Sequence, residues 1–146
     1  WVMLDNGELD RRALRDFIFK DSTARHDLEQ ITHPAIRNAI IQQLAAAQSP
    51  YVILVSPLLF ETEQHQLTQR TLLIDATEAL QVQRASQRDQ QNIEQIHRII
   101  ASQMSREQKQ QQADDIVLND GELTHLYAHL APLHQHYLAL ARAKSP

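Results

Sequence analysis

Residues 70–88 read RTLLIDATEALQVQRASQR, and this stretch decides the fold class. Its first part, Arg70 to Asp75, is a short apolar run of the kind expected for a strand buried on both faces of a parallel sheet. Its second part, Glu78 to Arg88, has helical spacing. A strand followed at once by a helix is the repeating unit of parallel α/β sheets. The sequence therefore predicts an α/β protein.

Two other runs have the same strand-like character. Tyr51 to Val55 reads YVILV and predicts a second buried strand, and Ala113 to Leu118 predicts a weaker third. The rest of the chain after residue 91 has helical periodicity. Ser105 is expected to cap a short helix. Pro132 is expected to kink or split the last helix. The helical segments are Asn92–Met104, Arg106–Gln112 and Glu122–Ala143.

The first fifty residues predict helices without strands. Asn6-Gly7 is a turn sequence, and Asp10 and Asp21 are expected to cap the helices that follow them. Pro34 is expected in the first turn of a further helix, where its missing N–H costs nothing. Residues 1–50 therefore predict a helical region ahead of the sheet.

Composition excludes several classes of function. A net charge of −4 gives no reason to expect nucleic acid or anionic membranes as partners, and no apolar run is long enough to span a bilayer. The absence of cysteine excludes disulfides and thiolate chemistry and suits the cytoplasm. The only glycines, Gly7 and Gly121, are far apart, so no glycine-rich phosphate-binding loop is present in these residues.

The first motif that could bind a ligand is the segment LEQITHPAIR at residues 28–37. His33 and Arg37 are about one helical turn apart and can address one anionic group, for which the arginine fork is well suited. The alternative is a corner between two helices, with His33 as a cap and Arg37 in solvent.

The second motif, SPLLFE at residues 56–61, follows the predicted strand 51–55. Ligands of open α/β sheets bind at the carboxyl ends of strands, so Leu58 and Glu61 are candidate ligand contacts. The alternative is an apolar plug with Glu61 as a surface carboxylate.

The third motif is a pair of arginines, Arg84 and Arg88, spaced i, i+4 on the helix after the strand 70–75. Two arginines on one helix face fit a lid that closes over nucleotide phosphates and neutralises charge in phosphoryl transfer. The alternative is a basic stripe on a solvated helix.

The fourth motif, Asn119-Asp120-Gly121, ends the weak third strand. It is either a simple turn or a place where backbone groups surround an adenine ring. His125 and His129, spaced i, i+4, have a spacing that can bind zinc, but a solvated helix face is the favoured interpretation.

These four motifs, in this order, resemble the dephospho-coenzyme A kinase family. The opening DNGELDRRAL at residues 5–14, together with Gln103 and Lys109, adds to the match. Each motif is modest by itself, whereas their order and spacing over nearly the whole chain make the resemblance specific.

The resemblance implies an α/β, P-loop kinase-like parallel sheet with a helical substrate domain and a lid. Residues 1–50 would be the helical dephospho-CoA-binding region. Residues 51–146 would be the remainder of the nucleotide-binding core, with the lid at about 84–112. The family transfers the γ-phosphate of ATP to the 3′-hydroxyl of dephospho-CoA with Mg²⁺, which gives CoA and ADP in the last step of CoA synthesis.

The resemblance also implies roles for individual residues. Arg84 would contact the ATP phosphates and stabilise developing charge, with Arg88 assisting. The residues that would line adenine are Asn119, Asp120 and Gly121. Those that would face dephospho-CoA are His33, Arg37 and the segment from Leu58 to Glu61.

One departure from the family pattern is large. Family members begin with a strand, a GxxxxGK(S/T) loop and a helix, followed by an Asp-x-Asp segment, and these residues contain none of them. We expect this N-terminal unit, with most Mg²⁺ ligands, to be missing, and the 146-residue polypeptide alone to be inactive. The alternatives are a non-catalytic CoA- or nucleotide-binding module without a phosphate loop, and a related nucleotide monophosphate kinase.

Overall fold

A computed structural model describes residues 2–18, 20–89 and 92–144, without the side chains of Asp89 and Lys144. The chain divides into two compact units, Trp1–Ala46 and Ala47–Pro146. The predicted lid at about 84–112 includes residues 90 and 91, which lie outside the described residues.

The first unit begins with a turn and continues with two helices. Gly7 has a φ of 82°, a left-handed conformation that glycine adopts without steric cost, and the chain reverses so that Met3 and Leu9 form an antiparallel bridge. Helix α1 spans Arg11–Ile18 and helix α2 spans Ser22–Ala46. The predicted caps are confirmed: the carboxylate of Asp10 accepts hydrogen bonds from two N–H groups of α1, and that of Asp21 does the same for α2.

The predicted helix break at Pro34 is wrong, because α2 continues through this residue as one helix of 25 residues. Proline removes one hydrogen bond to the carbonyl of Gln30, four residues earlier. That carbonyl belongs to an exposed residue, so water can replace the lost donor. The corner between two helices that the sequence suggested at His33 is therefore absent from α2.

The second unit contains a parallel sheet and four α-helices among its described residues. Strands β1 (Leu72–Asp75) and β2 (Asp115–Leu118) pair in parallel, with Leu72 opposite Asp115 and Asp75 opposite Leu118. The predicted parallel α/β pairing is thus confirmed. The helices are α3 (Glu78–Asp89), α4 (Ile93–Ala101), α5 (Arg106–Gln112) and α6 (Leu123–Lys144).

The predicted strand at Tyr51–Val55 is wrong. These residues are not paired with another strand, and Ile53 and Val55 are 70% and 86% exposed. An apolar run becomes a strand only when a neighbour supplies partners for its N–H and C=O groups. The described sheet consists of β1 and β2, and neither provides that edge to residues 51–55.

The helix predictions of the second unit are largely confirmed. Asn92 caps α4, and Ser105 caps α5 in a reciprocal capping box with Gln108. Of the two outcomes predicted at Pro132, the split is wrong, because α6 is one helix of 22 residues that contains this proline, and the kink stays a prediction. The predicted α4 also ends earlier than expected, at Ala101 rather than Met104.

The core of the second unit is small. Among the described residues, the buried apolar side chains are Ile96 of α4 and Val117 of β2, and the buried polar residues are Thr71 and Asp75. Asp75 is the last residue of β1, so a buried carboxylate stands at the end of the sheet where α/β proteins bind ligands.

Candidate active site at the strand ends

The carboxyl ends of β1 and β2 bring two predicted nucleotide-site residues together. The N–H of Asn119 donates to the carbonyl of Asp75 at 2.7 Å and so extends the strand pairing by one residue. The guanidinium of Arg84 on α3 donates from Nη1 to the carbonyl of Asn119, also at 2.7 Å. Residues 35 positions apart in sequence therefore meet at this edge of the sheet.

The other residues predicted to bind the nucleotide are on the same two segments of the chain, α3 and the turn after β2. Arg88 is exposed one turn beyond Arg84 on α3. Asp120 and Gly121 follow β2 and border a depression of about 190 Å³ together with the first turns of α6, including His125. A carbon atom added at Gly121 would lie 3.8 Å from Nδ1 of His125, an ordinary contact distance.

An ion pair between a buried carboxylate and a partly exposed arginine stands at the end of β1. Asp75, whose side chain is 5% exposed, accepts from Nε and Nη2 of Arg106 at 2.8 and 2.7 Å and from Nε2 of Gln110 at 2.8 Å. The bonds from Arg106 hold the pKa of Asp75 below its ordinary value, although burial opposes this, and the same bonds raise the pKa of Arg106. The pair joins the sheet to α5.

Glu61 is engaged with the turn that precedes α5. Its Oε1 accepts from the backbone N–H of Met104 at 2.8 Å and lies 3.6 Å from Nζ of Lys109. Lys109 also donates to Oε1 of Gln103 at 3.1 Å. Burial raises the pKa of the Glu61 carboxyl, but the N–H of Met104 and the charge of Lys109 outweigh it, so the pKa lies below its ordinary value.

Leu58 belongs to the turn just before Glu61. Its side chain is exposed, and its carbonyl accepts from both the N–H and the hydroxyl of Thr62. The turn therefore fixes the backbone of the segment without covering the Leu58 side chain.

An open cleft of about 560 Å³ lies between the end of β1 and the segment from α4 to α5. Its walls carry side chains of both charges, among them Asp75, Glu78, Arg106 and Lys109. Apolar side chains such as Leu73, Ile100 and Met104 also border it, so the lining is mixed in character.

His33 and Arg37 lie on α2 in the first unit. Both are exposed and stand one helical turn apart, as the sequence predicted. They share a helix face open to solvent, and their role as contacts of dephospho-CoA stays a prediction.

Sequence reasoning assigned no role to Asp75 or Arg106. One signal was present, because an acidic residue at the end of an apolar strand needs a partner when it is buried. The identity of that partner was not predictable, since Arg106 is 31 residues away along the chain.

No group of three or more metal-ligating side chains occurs in the part of the chain that the structure describes. His125 and His129 both border the depression after β2. The described residues also include no helix with the length and apolar character needed to cross a membrane.

Comparison with solved structures defines the class of protein. A crystal structure from Thermus thermophilus has a TM-score of 0.78 at 30% sequence identity, covering 92% of this chain and 70% of that one. A dephospho-CoA kinase from Campylobacter jejuni has a TM-score of 0.66 at 24% identity, covering 99% of this chain and 71% of that one. The chain thus has the α/β, P-loop kinase-like fold.

Sequence comparison gives the family. The family model described as dephospho-CoA kinase matches residues 1–125. The dephospho-CoA kinase of Acinetobacter baylyi is 65% identical over 94% of this chain and 71% of its own length, and that of Psychrobacter cryohalolentis is 49% identical over 97% and 63%. The chain belongs to the dephospho-CoA kinase family, and it spans about two thirds of the length of these relatives.

Proposed function

We propose that the protein is an ATP-dependent kinase that transfers the γ-phosphate of ATP to the 3′-hydroxyl of dephospho-CoA and releases CoA and ADP. Family membership is the observation that carries this proposal. The reaction makes one O–P bond to the ribose oxygen and breaks one O–P bond in ATP, and the hydroxyl proton leaves to a base. ATP as donor and the absence of cysteine fit a reaction in the cytoplasm.

Arg84 is the proposed contact for the ATP phosphates. Its bond to the carbonyl of Asn119 uses Nη1, and the guanidinium has five N–H donors, so it can bind a phosphate oxygen without leaving the strand ends. An arginine positioned in this way stabilises the charge that develops on the transferred group. Arg88, one turn further along α3, assists from the same helix.

The adenine ring is proposed to lie against Asn119, Asp120 and Gly121. These residues follow β2 directly and border the depression at the start of α6. Backbone N–H and C=O groups at such a turn recognise the edge of a base, and the absence of a side chain at Gly121 allows close approach.

Dephospho-CoA is proposed to contact His33 and Arg37 of α2 and the segment with Leu58 and Glu61. Arg37 is exposed and presents a charged fork suited to a phosphate. Leu58, which is 38% exposed, offers apolar surface to an organic ligand. Glu61 already accepts the N–H of Met104, so a substrate contact would use its remaining acceptor capacity.

The described residues contain no group of three or more acidic or histidine side chains that could hold a metal ion by themselves. Mg²⁺ in kinases is held mainly by substrate phosphates with one or two protein groups. We therefore assign no ligand and no step of the reaction to this ion.

The test is steady-state kinetics of the natural full-length protein with dephospho-CoA and ATP. Arg84→Ala is expected to lower kcat by about a hundredfold or more, since loss of an arginine that stabilises a phosphoryl transition state costs at least this much. The matched control is Arg142→Ala near the C-terminal end of α6, because Arg142 is exposed and lies outside the predicted lid and the proposed binding residues.

Two outcomes would contradict the proposal. Absence of CoA formation by the natural protein would exclude the activity itself. Equal loss of kcat in the Arg84 and Arg142 variants would exclude the specific role of Arg84 while leaving the proposed reaction in place.

A further inference from the structure

Residues 57–67 form a turn that ends in a short 3₁₀ helix and carries Leu58 and Glu61, two proposed contacts of dephospho-CoA. His65 lies in the 3₁₀ part of this turn. Its N–H donates to the carbonyl of Leu59 at 3.1 Å, so it ties the end of the turn back to a residue that stands between the two proposed contacts. The main chain of the 57–67 turn is therefore closed on itself at His65.

The side chain of His65 packs on the side chain of Phe60. The two ring centroids are 5.4 Å apart and the ring planes are tilted by 48°, a geometry within the range of favourable aromatic pairs. Both residues are half-buried, and Phe60 directly precedes Glu61 in the chain. The ring contact therefore holds the backbone next to Glu61 against the 3₁₀ part of the turn.

The ring of His65 also contains a polar atom that this packing leaves unpaired. Its Nδ1 is buried and has no hydrogen-bond partner among the residues that the structure describes. A buried polar atom without a partner costs free energy, and an unpaired buried N–H is rarer than an unpaired acceptor. Nδ1 therefore carries a lone pair, and the ring proton lies on Nε2. The ring supports the turn through its packing and not through a hydrogen bond of Nδ1.

The backbone between the two rings has an unfavourable conformation as well. Glu63 has a φ of 55° and a ψ of 18°, a left-handed conformation in which a Cβ lies too close to the main chain. Such conformations persist only where the surrounding structure imposes them, and they cluster at ligand-binding sites. The contact between Phe60 and His65 joins the residues on the two sides of Glu63 and so imposes this shape.

We propose that His65 is a positioning residue, whose ring, by packing on Phe60, holds the 57–67 turn in the shape that contacts dephospho-CoA. This deepens the proposed function and, for its consequence in substrate binding, rests on it. Leu58 and Glu61 remain the groups that touch the substrate, and His65 acts through them.

The first test is amide hydrogen exchange of the natural full-length protein, measured by NMR, which needs no activity. The N–H of Glu63 donates to the carbonyl of Phe60 and reports on the turn. His65→Ala is expected to speed its exchange by about three- to tenfold, the effect of one lost aromatic contact. His65→Phe keeps a ring and should stay within about twofold of the natural protein.

The matched control is His136→Ala on α6. His136 is an exposed histidine whose ring also lies near an aromatic ring, 6.0 Å from that of Tyr137 between centroids, but it is outside the proposed binding residues. This variant should leave the exchange of Glu63 unchanged.

The second test is calorimetric titration of the same variants with each substrate. His65→Ala is expected to raise the Kd of dephospho-CoA by about three- to tenfold, while the Kd of ATP stays within about twofold. The reason is that Arg84 and Asn119, the proposed ATP contacts, lie outside the turn. His65→Phe should restore binding of dephospho-CoA, and His65→Gln, which is polar but has no ring, should resemble His65→Ala.

The third test is the ring ¹⁵N spectrum of the histidines at about pH 8, where an ordinary histidine is neutral. Nδ1 of His65 should show the shift of an unprotonated nitrogen. The signal is assigned by its disappearance in His65→Phe.

Several results would overturn the inference. Exchange at Glu63 that is as fast in His65→Phe as in His65→Ala, or a protonated Nδ1, would mean that the ring acts through a hydrogen bond. An equal rise in the Kd of ATP and of dephospho-CoA in His65→Ala would mean a general loss of structure. A natural protein without kinase activity would defeat the proposed function, while the exchange result would still decide whether His65 holds the turn.

Discussion

The side chain of Asp115 connects three segments of the chain at the amino end of the sheet. Its carboxylate accepts the fork of Arg70 at 2.6 and 2.9 Å and the hydroxyl of Tyr137 at 2.8 Å, so it links the chain before β1, strand β2 and helix α6. The bonds from Arg70 hold the pKa of Asp115 below its ordinary value, although burial opposes them. Burial and the bond to Asp115 raise the pKa of Tyr137 to about 12.

The lowered pKa of Asp115 predicts a pH-dependent contribution to stability. A carboxyl with a depressed pKa in the folded state stabilises the fold above its unfolded pKa, near 3.8, and loses that contribution as the pH falls through the folded value. Asp115→Asn should therefore be less stable than the natural chain at pH 6, with the difference shrinking below about pH 4. Urea unfolding of both proteins at a series of pH values measures the difference in their free energies of unfolding. A difference that stays constant down to pH 2.5 would contradict it.

The short helix α5 depends on its cap. It has seven residues, too few to be stable by propensity alone, so the capping box of Ser105 and Gln108 and the bonds to Asp75 must supply its stability. Ser105→Ala is expected to lower the free energy of unfolding by about 1 kcal/mol, and Ser105→Asp, which keeps an acceptor, should lose much less. Chemical unfolding monitored by circular dichroism compares them. Equal losses would mean that the cap does not support α5.

The run Tyr51–Val55 shows why an apolar pattern does not by itself make a strand. The structure leaves Val55 86% exposed, whereas Val117 of β2, in a run of similar character, is 4% exposed. In the polypeptide of residues 1–146, Val55→Ala should change the free energy of unfolding by less than about 0.5 kcal/mol.

The same substitution at Val117 is the matched comparison. Because Val117 is buried, Val117→Ala should cost about 2 kcal/mol. Thermal and urea unfolding of the two variants under one set of conditions gives the difference. A cost at Val55 as large as that at Val117 would show that residues 51–55 are covered in this polypeptide.

Across the whole molecule, the sequence predicted what is decided locally. The caps at Asp10, Asp21 and Ser105 were predictable because each depends on residues two or three positions away. The two paired strands were predictable from their composition and the helices between them. The continuation of α2 through Pro34 and of α6 through Pro132 was not predicted, because the rest of each long helix tolerates one missing hydrogen bond.

One contact of the candidate site follows from the same reasoning, whereas the roles of the site residues stay predictions. Arg84 and Asn119 meet because both follow parallel strands, whose carboxyl ends share one edge of the sheet. The bonds of Asp75 to Arg106 and of Glu61 to Met104 depend on the path of the chain through α3 and α4, and no local pattern encodes that path.

Binding of the ATP phosphates depends on the 146 residues as a whole. In P-loop kinases the ATP phosphates are cradled by main-chain N–H groups of a glycine-rich loop and by its lysine. Neither glycine of this chain belongs to a glycine-rich loop. Gly7 forms a left-handed turn in the first unit, and Gly121 follows β2. Arg84 supplies charge at the strand ends but not a ring of N–H donors.

A polypeptide of residues 1–146 should therefore transfer no phosphate from ATP to dephospho-CoA above a protein-free control, whereas a dephospho-CoA kinase that contains a glycine-rich loop should form CoA. Transfer of labelled γ-phosphate, followed over the same time and protein concentration for both, measures the difference. Turnover by residues 1–146 that Arg84→Ala abolishes would contradict the prediction, because it would mean that the strand ends of this unit bind and orient the triphosphate without a glycine-rich loop.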